Sequence, residues 1–472
     1  MQLKTEYNSQ QGIKHFKHKE KILGQFWTPY EIAEFIVRIC TKFVREKGFA
    51  IDPACGDGVF LKSAVDMGFK KIIGIDIDES VLEKIDNEIE KYVIITNALN
   101  TEKFDGSADL VVGNPPFSSK YGKLIGKQIL SKYSLSRGRK AQSLEILFLE
   151  KFIRLAKMEG VIGIILPMGI FANTNLGYVR DYILENIQLK AIISLPRNIF
   201  RTLGIKTTSK TIVMIGEKNS SGHKGPVLMT ILSDFSQLSE LKIGDLGGEF
   251  VELEGNILYP EYYLNRLNIK SDFRLGEIFE IKNGYAEYGA NRKFGAVGKH
   301  LITAKNVTKY GIDYNKSEKI VIPGSSMDRE SAYVFVNDIV FVRLGEGCMG
   351  RTAVITDKED EGIADDWIYI LRKSGLFRNG ISPYYIALYL QTPSIQKEIR
   401  RLSRGVGTPT IPRRELAKIP IVINNNLNEK SEEIYRNIRS LYINGKKKKA
   451  ETLLTQILED IEKIILLKLS SR

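Results

Sequence analysis

Four short apolar runs, each stopping on a polar residue, constrain this chain more than any other feature. They end at Asp52, Asp76, Asn97 and Asn114, the last after Ala108-Asp109-Leu110-Val111-Val112-Gly113. Runs of this length bounded by turn residues read as buried strands. The helical stretches between them call for strands laid side by side in parallel, with helices on the faces. In such an open sheet, ligands bind in the crevice outside the carboxyl ends of the strands. The expected fold class is therefore α/β, a doubly wound Rossmann-like domain with four polar strand ends facing one ligand.

The segments around those ends narrow the ligand. Asp52-Pro53-Ala54-Cys55-Gly56-Asp57-Gly58 is a glycine turn leading into a helix that starts near Val59. Glycines let a ligand approach the backbone, and a helix start carries positive partial charge. The spacing is not that of a dinucleotide loop, and the flanking acids disfavour a pyrophosphate. They suit a ligand carrying an ammonium group, and S-adenosylmethionine has both an ammonium and a sulfonium. Asp76, about 20 residues beyond the turn, is placed to accept from ribose hydroxyls. Asp78 reads as the cap of a helix starting near Glu79. At Asn114-Pro115-Pro116-Phe117 two prolines stop the strand and fix the backbone. An amide beside an aromatic ring suits a planar base with an amino group. Upstream, Thr28 reads as an N-cap and Pro29 as the first residue of a helix with Ile32, Phe35, Ile36 and Ile39 on one face.

At 472 residues the chain needs more than one core. Its net charge of +13 and pI of about 9.3 favour a polyanionic partner. Three dispersed cysteines read as reduced thiols. With a polar, basic stretch from Met1 to Lys21 and no apolar run of membrane length, a cytoplasmic setting without membrane contact is expected. His15 and His18 do not complete a zinc site, and no metal is expected.

A second domain begins near Lys270, with strand-like alternation and many glycine turns. The divisions read from the sequence are a catalytic domain over 1–235, a linker over 236–268, a second domain over 269–425 and a helical region over 426–472. Arg400, Arg401, Arg404, Arg413 and Arg414 are read as loop residues able to grip DNA phosphates. In the tail, Leu454, Ile457, Ile461 and Ile464 form a short helical seam. That seam either folds back on its own chain or joins a second copy as a homodimer. Lys446 to Lys449 read as a solvated turn.

Taken in order, Thr28-Pro29, the turn from Asp52 to Gly58, Asp76 and Asn114 to Phe117 resemble the gamma class of amino-methyltransferases acting on adenine in DNA. The resemblance covers residues 20 to 217 and implies a restriction-modification methyltransferase. It implies S-adenosylmethionine held by Thr28, Pro29, Asp52, Pro53, Ala54, Cys55, Gly56, Gly58, Asp76, Ile77, Asn97, Ala98 and Asn114. It implies catalysis by Asn114, Pro115, Pro116 and Phe117, with Phe117 and Phe200 contacting a flipped adenine. The family usually has an Asp where Asn97 stands, so weaker cofactor binding is expected here. Residues 258 to 425 resemble the target-recognition domain of Type I specificity subunits. They do so through Leu275-Gly276-Glu277-Ile278-Phe279, Gly350-Arg351-Thr352-Ala353-Val354 and Thr410-Ile411-Pro412. Together these imply a site-specific adenine-N6 methyltransferase acting on double-stranded DNA, without a metal. Any cognate restriction nuclease would be a separate chain. The alternatives are a DNA-binding specificity module with a decayed catalytic half, and a protein glutamine methyltransferase, which shares the N-P-P-aromatic motif.

Overall fold

The computed structural model describes residues 28–117, 127–196, 210–232, 247–264, 266–345, 347–374, 380–405 and 408–469. The chain divides into two compact units after Leu264.

The first unit is built on a nine-stranded sheet. Its strands are β1 (Phe49–Asp52), β2 (Lys71–Asp76), β3 (Val93–Ile95), β4 (Ala108–Gly113), β5 (Ala156–Pro167), β6 (Ile187–Ser194), β7 (Thr211–Lys218), β8 (Val227–Ile231) and β9 (Glu249–Val251). The order is β3-β2-β1-β4-β5-β7-β6-β8-β9. The first five strands in that order are parallel to their neighbours, and β7 runs antiparallel between β5 and β6. All of β1 and β4 is buried. Burial on both faces explains continuous apolar runs in place of alternation. Helix α1 (Tyr30–Cys40) buries Ile32, Phe35, Ile36 and Ile39, the face its periodicity defines. Helix α2 (Val59–Asp66) follows the glycine turn, and α3 (Leu144–Leu155) precedes β5.

The run from Lys210 to Ile215 reads as a closing strand, but β7 is interior. The sheet continues through β8 and β9, which cover the edge β6 would otherwise expose. The first unit therefore runs past residue 235 to Leu264.

The second unit carries two four-stranded sheets. One holds Phe279–Asn283, Ile368–Lys373, Ile339–Val342 and Thr352–Val354, and the other Ile320–Val321, Phe294–Ile302, Gly362–Ala364 and Tyr333–Val334. Helices Asn425–Ile443 and Lys447–Leu467 pack on each other and on helix Pro383–Tyr389. The Val354 amide donates to the Tyr435 hydroxyl at 3.0 Å, tying the tail to a strand. The tail is thus part of the second unit and not a separate helical region. Leu454, Ile457, Ile461 and Ile465 are buried within this chain, with Ile465 in the place expected for Ile464. The seam is filled by its own chain, so it offers no apolar face to a second copy. Lys447 to Lys449 open the last helix and do not form a turn.

Candidate active site

The carboxyl ends of β1, β2 and β4 adjoin in the sheet, and the acids ending β1 and β2 are fixed by backbone amides. Asp52 is fully buried. Its Oδ1 accepts from the Ala54 amide at 2.9 Å, while Oδ2 has no partner among the described residues. Burial pushes this carboxyl well above the usual range. It lies directly against β4, because a Cβ on Gly113 would sit 2.4 Å from Asp52 Oδ1. A side chain at position 113 would collide with this acid.

Asp76 closes the turn from the other side. Its two oxygens accept from the Gly56 amide at 3.0 Å and the Asp78 amide at 2.9 Å. Burial raises both Asp76 and Asp57, with backbone amides opposing the shift in each. Gly56 and Gly58 have φ of 52° and 78°, values that L side chains rarely adopt. Cys55 turns its thiol into the core, so only its backbone faces the turn's outer side. Asp78 caps the short helix after β2 through Ser80, as its position implies. Ile77 stands 48% exposed immediately beyond Asp76, an apolar side chain at a strand end. Ala98 is buried, and Asn97 accepts from the Leu99 amide through Oδ1 at 3.0 Å.

At the end of β4, Asn114 Nδ2 donates to Thr28 Oγ1 at 3.1 Å. This corrects the reading of Thr28 as a helix cap. The N-cap of α1 is Pro29, whose carbonyl accepts from Ile32 and Ala33, and Thr28 is spent on the amide of Asn114. Because the amide nitrogen is committed to Thr28, Oδ1 is the acceptor end of the side chain. Pro115 is buried and Pro116 half-buried. Phe117 is only 4% exposed and belongs to the core cluster of the unit. Its ring is a core group in this structure and is not presented for stacking on a base. Phe200 lies outside the described residues.

Sequence reasoning missed the Thr28–Asn114 bond, whose only trace was the order of the two motifs. It also missed Tyr133, whose hydroxyl donates to the Leu99 carbonyl at 2.9 Å, two residues past Asn97.

The five arginines separate into two kinds. Arg400 and Arg401 lie on helix Pro393–Leu402, and Arg413 and Arg414 open helix Arg413–Leu416, so four of them are not loop residues. Arg401 is buried and ion-paired with buried Glu398 at 2.6 Å. Arg404 pairs with Glu415 at 3.1 Å. Those two hold the fold together, whereas Arg400, Arg413 and Arg414 are exposed. Among the described residues no group of three or more His, Cys, Asp or Glu is placed to hold a metal ion, and no helix is long and apolar enough to cross a membrane.

The strand-end acids, the glycine turn and the positioned amide converge as they would in a methyltransferase. Residues 10–242 match the N-6 DNA Methylase family. The N-6 DNA Methylase match ends inside the first unit and leaves the second unit outside it. The chain is 31% identical over 210 residues to Type II methyltransferase M.VspI of Vibrio sp. (strain 343), covering 42% of this chain and 48% of that protein. It is 25% identical over 178 residues to Type II methyltransferase M.HincII of Haemophilus influenzae, covering 37% of this chain and 34% of that protein. The chain thus spans half or less of the length of these relatives. Among solved structures, the ATP-dependent Type ISP restriction-modification enzyme LlaBIII bound to DNA shares the fold. Its TM-score is 0.52 at 12% identity, covering 89% of this chain and 39% of that one.

Proposed function

We propose that the chain is a site-specific DNA adenine-N6 methyltransferase of a restriction-modification system, with S-adenosylmethionine as methyl donor. The observation that carries the reading is the Asn114 amide, oriented by Thr28 at the end of β4, beside the strand that ends in the buried acid Asp52.

The residues at the strand ends fit the cofactor. Asp52 keeps a buried oxygen without a partner, a turn of positive-φ glycines leaves room for close approach, and an exposed apolar Ile77 stands beside Asp76. Asp76 would accept from the ribose hydroxyls, Ile77 would cover a face of the adenine ring, and the acids of the turn would attract the ammonium. Thr28, Pro29, Pro53, Ala54, Cys55, Gly56, Gly58, Asn97 and Ala98 complete the surround. When bound, the cofactor supplies a methyl group on a sulfonium, whose leaving group departs neutral.

An exocyclic amine is a poor nucleophile because its lone pair is spread into the ring. The Asn114 Oδ1 and the Pro115 carbonyl accept its two hydrogens and localise that pair. This is positioning by preorganised acceptors. In a duplex the adenine is paired, so it must turn out of the stack to reach them. Phe200 is proposed to contact the turned-out base, and so is Phe117 if its ring leaves the core cluster on DNA binding. The second unit is proposed as the target-recognition domain, with exposed Arg400, Arg413 and Arg414 toward phosphates. A cytoplasmic setting and a restriction nuclease on a separate chain belong to the same proposal.

The test uses the full chain, labelled cofactor and duplex DNA. Methyl incorporation into adenine is expected, and Asn114→Ala should remove it, at least about a thousandfold, while cofactor binding persists. Turnover by Asn114→Ala would overturn the mechanism. Duplex binding without incorporation by the parent protein would favour a specificity module instead.

A further inference from the structure

The first unit carries an open groove of roughly 680 Å³ lined by residues 130–140, among them Lys132, Ser136, Arg137, Arg139 and Lys140. Four of these side chains are cationic, and among the described residues the lining holds no carboxylate. The groove lies on the chain between the end of β4 and the start of α3. It is fastened there. Tyr133 reaches the Leu99 carbonyl beside the Asn97 turn, and buried Glu150 of α3 accepts from the Ser134 and Leu135 amides at 2.8 and 2.9 Å.

The cations have not been spent on the fold. Arg137, Arg139 and Lys140 are exposed and have no carboxylate within ion-pair distance among the described residues. Lys132 has only a 3.8 Å pairing with exposed Glu102. Arg139 is held flat, its guanidinium 3.9 Å from the centre of the Tyr178 ring, while Tyr178 is itself bonded to Gln142 at 3.1 Å.

We propose that this groove binds a phosphodiester of the DNA backbone. The inference rests on the proposed function for its ligand. It deepens that reading by moving a backbone grip into the catalytic unit. An open, multi-cation rim fits a chain of phosphates better than one small anion, because each unspent cation can release a separate counterion from the duplex.

The experiment is a salt titration of the full chain's affinity for a fluorescent duplex, with inorganic phosphate as a separate competitor. Each lost phosphate contact lowers the slope of log affinity against log salt by about 0.9, so Arg137→Ala/Lys140→Ala should lower it by nearly 2. At about 0.1 M salt the same variant should bind duplex about tenfold more weakly, with cofactor affinity unchanged. The charge-conserving Arg137→Lys/Lys140→Arg should keep the parent slope, which separates charge loss from a folding defect. An unchanged slope and affinity in the alanine variant would overturn the proposal. So would loss of inorganic phosphate binding with duplex binding intact, or no duplex binding by the parent at low salt. The two readings fail separately. Methyl transfer with an unaltered slope sinks the groove alone, while a reduced slope in a chain that transfers no methyl sinks the activity alone.

Discussion

The two units differ in where their unneutralised charges lie. In the second unit, two of the arginines read as DNA contacts are committed internally, Arg401 to Glu398 and Arg404 to Glu415, while Arg400, Arg413 and Arg414 are exposed. In the first unit, among the described residues, buried Asp52 and Asp76 at the strand ends have no ion-paired cation, and Arg137, Arg139 and Lys140 no ion-paired carboxylate. A charge already neutralised inside its own domain is structural. A charge held in place and left unneutralised is where a ligand of opposite sign belongs.

The comparison is most sharply tested by exchanging the two kinds of arginine. Arg401→Ala leaves Glu398 buried and unpaired, which should cost about 3–5 kcal/mol of unfolding free energy. In urea its midpoint should fall steeply, while the salt dependence of duplex binding by the folded protein stays as in the parent. Arg137→Ala should do the reverse. If Arg401→Ala unfolds like the parent and lowers the salt slope, the division between structural and ligand-facing arginines is wrong.

Thr28 probes the first unit from within. Thr28→Val removes the acceptor that orients the Asn114 amide, and turnover should fall about ten- to a hundredfold. Thr28→Ser restores the hydroxyl and should rescue the rate. A valine variant as fast as the parent would show that Asn114 needs no such partner.

The strand-end acids give a pH signature. Burial holds Asp52, Asp57 and Asp76 above the ordinary carboxylate range, so they take up protons well before exposed acids do. A cationic ligand needs them ionised, and its affinity should weaken as pH falls through their raised values. The stability of the ligand-free protein should move the other way. A raised folded-state value means the folded protein binds protons more tightly than the unfolded chain. The contribution of these groups is therefore fully present below the ordinary carboxylate value and lost as pH rises through the raised ones. Calorimetry of cofactor binding and urea melts across that range check both signs. Affinity that is flat with pH would remove the acids from the cofactor's surround.

Much of the first unit was legible because strand ends are marked in sequence by what breaks them. Asp52, Asp76 and Asn114 each follow an apolar run, and each is where the structure puts it. Contacts made by residues far apart in the chain were not legible. Thr28 looked like a cap because the local pattern Thr-Pro before an apolar face is a helix start, and nothing local reveals an amide 86 residues away. Phe117 looked like a stacking ring because it completes the N-P-P-aromatic motif, yet tertiary packing buries it. The arginines failed for a similar reason. Arg400 and Arg401 are adjacent, and only the helix turn decides that one faces solvent and the other meets Glu398. The groove at 130–140 left no motif at all, because unspent charge is visible only once partners can be looked for.

The smallest expected effect falls on the one strand end that departs from the resemblance. Asn97 already gives Oδ1 to the Leu99 amide, so its remaining group is largely the Nδ2 donor. The amino group of an adenine ring is itself a donor, and two donors do not pair. Asn97→Asp keeps one oxygen for Leu99 and adds a second, charged oxygen that can accept. Cofactor affinity should rise about threefold, with unfolding free energy within about 0.5 kcal/mol of the parent because the turn is preserved. The gain should vanish for a cofactor analogue lacking the adenine amino group. A gain that persists with that analogue would come from the added charge near the sulfonium and not from the adenine edge. No gain with either ligand would show that this strand end does not read the adenine.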